Sequence, residues 1–225
     1  MLPAIEFETA PNPRAALIVL HGLGAEGNDF VPVCEALQVD PVGPVRYVLP
    51  HAPARPVSVN NGYVMPAWYD IFELGGSHSA RREDEAGLRA SQALVGALIE
   101  REVARGVPAS RIVLAGFSQG CAVTLMTGLR YPERLAGLAG LSGYLPLAGR
   151  TATERSAANA DLPIFLAHGT RDPMIAHARA VESRDALSAL GYDVEWHDYP
   201  MEHSVSLEEI ADLNRWLLAV LHPAA

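Results

Sequence analysis

The chain has 225 residues, 49% hydrophobic and 19% charged, which suits one domain over residues 1–225, since two domains sharing this length would each be small. Its formal charge of -9, without any run of Lys or Arg, excludes a basic footprint for nucleic acid or an anionic membrane surface. No apolar stretch approaches the roughly 20 residues of an integral membrane span, no basic leader precedes Glu6 and Glu8, and two cysteines make no disulfide framework; the expectation is a cytoplasmic protein with free thiols at Cys34 and Cys121.

In chain order, residues 5–9 alternate as an edge strand ended by Pro11 and Pro13. Residues 15–20 form a continuous apolar run, the pattern of a central strand covered on both faces, and lead into the glycine-rich loop His21-Gly22-Leu23-Gly24. Asn28 or Asp29 would cap a helix through Val31, Val33 and Leu37, with Pro32 tolerable only in its first turn. Residues 45–49 read as a second core strand and 50–56 as rigid loop. In the segment 60–70, Trp68 and Tyr69 beside Asp70 suit either a pocket wall or ordinary core anchors. Residues 75–79 read as loop and 83–105 as the longest helix, stopped by Gly106-Val107-Pro108. Residues 112–115 are a buried strand, after which Ala122, Val123, Leu125, Met126 and Leu129 recur at helical spacing. Then come a glycine-diluted strand at 135–141, a loop at 142–146, a polar stretch at 151–161, a buried strand at 164–167, a helix at 176–190, a half-exposed strand at 193–199 and a last helix at about 204–221, capped by Ser204 or Ser206. Strands and helices alternate throughout, so the fold class is α/β, a mostly parallel sheet with helices on both faces; the inserts at 50–82 and 143–161 are too short for a large cap domain.

Between one buried strand and the helix that follows it lies Gly116-Phe117-Ser118-Gln119-Gly120, a G-x-S-x-G elbow that would raise Ser118 on a strained turn at the sheet's carboxyl edge. The adjacent Cys121 reads as a small core residue. A serine hydroxyl needs a general base and a group that orients the base. Of the downstream histidines, His177 falls on a helix, His197 in a strand and His222 at the terminus, while His168 precedes its nearby carboxylate partner. His203, in the loop between the last strand and the last helix, alone satisfies both chain order and position at the sheet edge. Asp172, in the loop after the strand at 164–167, is the favoured acid, ahead of Asp198 in a strand and Glu202 next to His203. Oxyanion donors are expected from the N–H of Gln119 and the N–H of Leu23. The glycine loop is not followed by Gly-Lys-Ser/Thr, which argues against phosphate binding; no His-x-x-x-His pair or close Cys/His cluster appears, so neither a metal nor a cofactor is expected.

Five ordered segments resemble the carboxylesterase and acyl-protein thioesterase family of α/β hydrolases, also called the phospholipase/carboxylesterase family: Leu20-His21-Gly22-Leu23-Gly24 with Asp29-Phe30, Pro66-Ala67-Trp68-Tyr69-Asp70, Gly116-Phe117-Ser118-Gln119-Gly120, His168-Gly169 with Asp172-Pro173, and Glu202-His203. The resemblance implies a cofactor-free serine hydrolase of carboxylic esters, thioesters or lysophospholipids, with Ser118, Asp172 and His203 as its triad, and a homodimer in several members. Cys121 stands where members acting on lipidated proteins commonly have Gly, and Met174-Ile175 also departs from the acid loop. The expectation is therefore a bacterial-type carboxylesterase acting on small to medium acyl esters in an open groove, with the acyl chain along Leu23, Met65, Trp68, Leu145 and Met174. A thioesterase or lysophospholipase with the same triad, and a noncatalytic α/β-hydrolase relative that binds a small ligand or partner protein, remain as alternatives.

Overall fold

Continuous apolar runs become the middle of a sheet whose carboxyl edge carries the chemistry. The computed structural model describes residues 2–73 and 82–222, so the loop expected at 75–79 lies outside the described residues. The strands are β1 (Ala4–Glu8), β2 (Ala15–Leu20), β3 (Val45–Pro50), β4 (Ala54–Val57), β5 (Tyr63–Pro66), β6 (Ile112–Phe117), β7 (Gly137–Leu141), β8 (Ile164–Gly169) and β9 (Val194–Tyr199). The helices are α1 (Val31–Ala36), α2 (Glu85–Ala104), α3 (Gln119–Gly128), α4 (Ala148–Glu154), α5 (His177–Ala189) and α6 (Leu207–Val220). The main sheet runs β1-β3-β2-β6-β7-β8-β9. All its pairs are parallel except β1 against β3. This is an α/β-hydrolase arrangement, and no large cap interrupts it among the described residues.

Period-two alternation divides the core. Ala16, Ile18 and Leu20 of β2 join Leu98, Leu125 and Leu187 of α2, α3 and α5 on one face. Leu17 and Val19 join Cys34, Trp216 and Leu217 of α1 and α6 on the other. Among the described residues no helix is long and apolar enough to cross a membrane.

Three local expectations are corrected. The stretch at 50–56 is not all loop, because β4 pairs antiparallel with β5 as a separate hairpin. Part of the polar stretch at 151–161 belongs to α4, whose Thr151 is buried. The N-cap of α1 is Phe30, with no side-chain bond, rather than Asn28 or Asp29; the Asp29 carboxylate serves the turn ahead of it, accepting the Glu26 N–H at 2.8 Å.

The cap of α6 is Ser206: its Oγ accepts the Glu209 N–H at 3.1 Å, and Glu209 Oε2 lies 3.4 Å from the Ser206 N–H. Glu209 is fully buried, and burial pushes its carboxyl up to about 8. The folded state therefore keeps a proton that the unfolded chain releases at lower pH, and stability falls as pH rises from the ordinary carboxylate range through about 8. Glu209→Gln is expected to melt with the wild type near about pH 5 and above it at about pH 8, by thermal unfolding across that window. A gap in Tm independent of pH would contradict this.

Candidate active site

Ser118 sits between β6 and α3 with φ 57 and ψ -117, a conformation rare for a residue with a side chain. The turn is enforced from both sides. A Cβ on Gly116 would overlap the carbonyl of Gly120, and one on Gly120 would overlap the carbonyl of Leu20, so α3 can start hard against β2 only with glycine at both places. Cys121, just inside α3, is buried against Gly140 and Gly143, and burial pushes its thiol up to about 12, which keeps it protonated and unreactive.

Asp172 and His203 meet because the pairing of β8 with β9 continues into their loops. The N–H of Thr170 donates to Tyr199 O at 2.8 Å and that of Arg171 to Met201 O at 3.1 Å. Asp172 Oδ1 accepts the N–H groups of Met174 and Ile175 at 2.8 and 2.9 Å, which fixes the carboxylate plane. His203 Nδ1–H donates to Asp172 Oδ2 at 2.6 Å, and the Ser118 hydroxyl donates to His203 Nε2 at 2.9 Å. The tautomer follows from the partners, since a carboxylate oxygen only accepts. The Asp172 side chain is shut off from solvent while that of His203 keeps 17% exposure, so the base is reachable and its anchor is not. Of the other candidate carboxylates, Asp198 is bonded to His177 Nε2 at 2.5 Å on the outer strand, and Glu202 is exposed.

The loop after β2 is locked by a histidine and a tryptophan. His21 is fully buried; its Nδ1–H donates to Gly22 O at 2.7 Å and its Nε2 accepts the Ala52 N–H at 3.0 Å. Burial lowers its proton affinity, so the ring stays in the single neutral tautomer that these bonds require. Trp68 Nε1–H donates to His21 O at 2.8 Å. The Trp68 N–H donates to Gln119 Oε1 at 3.0 Å, and Gln119 Nε2–H to Tyr69 O at 2.8 Å. The aromatic segment is thus a brace between the glycine loop, which carries Leu23, and Gln119 at the start of α3. As first residue of α3, Gln119 has a backbone N–H without an intrahelical acceptor.

Over these groups opens a cavity of ≈ 480 Å³, reached by Ser118, His203, Leu23 and Gln119. Met174 lines it and is half exposed, at 51%. Met65, Trp68 and Leu145 are not among its lining residues. Trp68 and Leu145 are fully buried in the core behind it, and Met65 stands outside, near Gly24 and Asn60. The sequence reading missed Phe30, Val33, Phe117, Ile175 and Val205, which form its apolar wall, and Tyr144 and Arg179. A usable signal existed for three of these, because Phe117, Ile175 and Val205 lie within three residues of Ser118, Asp172 or His203. Among the described residues, no group of three or more His, Cys, Asp and Glu side chains is placed to hold a metal ion.

The phospholipase/carboxylesterase family profile matches residues 3–221. Acyl-protein thioesterase 1 of Yarrowia lipolytica is 41% identical over 219 residues, covering 96% of this chain and 96% of its own. Among solved structures, Arabidopsis thaliana SOBER1 superposes with a TM-score of 0.87 at 31% identity, covering 92% of this chain and 99% of its own. Zea mays acyl-protein thioesterase 2 does so with a TM-score of 0.82 at 29% identity, covering 97% and 100%. These similarities correct the expectation of a specifically bacterial-type carboxylesterase: they run to eukaryotic acyl-protein thioesterases. Cys121 misdirected that expectation, being packed in the core and absent from the cavity wall. With a Ser-His-Asp line at hydrogen-bond distances in a hydrolase fold, the chain is an esterase-type enzyme that belongs to the phospholipase/carboxylesterase family.

Proposed function

We propose that the enzyme is an acyl hydrolase that cleaves thioesters as well as oxygen esters, with Ser118 as nucleophile, His203 as general base and then acid, and Asp172 as the anchor of the imidazole. The observation that carries this reading is the Ser118–His203–Asp172 hydrogen-bond line at the floor of an apolar-walled cavity. Ser118 Oγ attacks the acyl carbonyl while its proton passes to His203 Nε2, and the imidazolium so formed is stabilised by Asp172 Oδ2. The N–H groups of Gln119 and Leu23 receive the developing oxyanion, the first aided by the positive end of α3. His203 then returns the proton to the leaving alcohol or thiol. A water deprotonated by the same nitrogen attacks the acyl-serine, releasing the acid and restoring the serine hydroxyl. Leu23, Met174 and the apolar wall around them would take the acyl chain. The two buried free thiols support a reducing compartment, in keeping with the expected cytoplasmic location.

Likeness to acyl-protein thioesterases along nearly the whole chain favours this reading over one confined to small oxygen esters. The test is kcat/KM for an octanoyl thioester, the matched oxygen ester and an S-acylated cysteine peptide. The proposal expects the thioester to be at least as good a substrate as the oxygen ester, and the peptide to be cleaved. A thioester more than about 100-fold poorer, with rates falling beyond short chains, would restore the small-ester reading.

A further inference from the structure

Asp172 has a neighbour that a three-residue relay does not require. His168, near the end of β8, is fully buried, with Nε2 2.9 Å from the carbonyl oxygen of Ile175 and 3.4 Å from Asp172 Oδ2. Both oxygens are acceptors, so Nε2 carries the hydrogen and Nδ1 the lone pair; Nδ1 has no partner among the described residues. A closed ring of contacts results. Asp172 Oδ1 accepts the Ile175 N–H, Ile175 O accepts the His168 Nε2–H, and the same nitrogen lies 3.4 Å from Asp172 Oδ2, the oxygen that accepts the His203 Nδ1–H.

Resting on the reading of Ser118, His203 and Asp172 as the triad, we infer that His168 is a positioning residue for the acid: its N–H pins the loop that holds the carboxylate plane and draws charge off the oxygen facing His203. His168 is not itself the base, because its nitrogen is committed to Ile175. The titratable groups facing it are Asp172 and His203 on the two loops and His177 at the start of α5, whose ring lies edge-on at 6.0 Å and is bonded to Asp198. Burial lowers the proton affinity of His168, which keeps the ring neutral beside the carboxylate.

His168→Phe keeps an aromatic ring and removes the N–H; His168→Gln keeps a donor at similar reach. With more charge left on Asp172 Oδ2, the Phe variant is expected to move the acid limb of its kcat/KM profile up by about 0.5 pH unit. It should also lose about tenfold in kcat, with KM changed by less than about twofold. The Gln variant should restore the acid limb and recover kcat to within about threefold. If the Phe variant does not fold, His168→Asn, too short to reach the Ile175 carbonyl, takes its place with the same expected shift. A folded Phe or Asn variant with the wild-type acid limb and kcat would overturn the inference, as would equal losses in Phe and Gln variants traced to a lower Tm alone. Ser118→Ala, assayed alongside, separates the two claims: activity surviving there sinks the triad reading, whereas a dead Ser118→Ala with an unaltered Phe variant sinks only the role of His168.

Discussion

Replacing Ser118 or His203 with alanine is expected to lower kcat by at least about 10³-fold, and the double variant should be little worse than either single one. The proton on Ser118 Oγ has one acceptor at 2.9 Å, and that acceptor is oriented by one buried carboxylate at 2.6 Å. Without the hydroxyl there is nothing to acylate; without the imidazole the hydroxyl keeps its proton. Each loss therefore removes the same step, which is why the effects should not add. Steady-state kinetics on an activated ester, with folding checked by circular dichroism, measures this. More than a tenth of wild-type kcat in either single variant would break the assignment.

The second large effect concerns stability. Gly120→Ala places a methyl against the Leu20 carbonyl oxygen and 2.8 Å from the His21 carbonyl oxygen, backbone atoms at the end of a central strand. Neither β2 nor α3 can retreat without opening the core, so the expected cost is about 3 kcal/mol or more, equivalent to a Tm lower by more than about 6 °C. Gly96→Ala is the control of opposite sign. Gly96 lies inside α2, where an added methyl would meet nothing within 4 Å, and alanine there should stabilise by about 0.5–1 kcal/mol. Thermal melts of both variants decide the matter, and equal Tm changes would show that the elbow tolerates a side chain at position 120.

The strands that form the sheet's middle were legible because parallel strands covered on both faces appear as unbroken apolar runs, as at 15–20 and 164–167. His203 and Asp172 were legible through chain order and the carboxyl-edge rule, without any local pattern of their own. The hairpin of β4 and β5 was not, since Pro56 and Pro66 argue against strands and its pairing is set by where the segment is carried. The cavity wall was hard to read for a related reason. Apolar character marks a residue for burial but does not say whether it also borders a cavity: Trp68 and Leu145 are wholly in the core, while Phe30 and Val33 pack on the core and line the cavity as well. The part of His168 depends on a loop returning Ile175 to within 2.9 Å of it, a closure that no spacing rule announces.

The most direct measurement is covalent trapping with a phosphonate probe, followed by peptide mapping. One adduct per chain on the peptide bearing Ser118 is predicted, absent in Ser118→Ala and formed at least about 10³-fold more slowly in His203→Ala. An adduct on another residue, or sustained ester hydrolysis by an enzyme that the probe never labels at Ser118, would contradict the account.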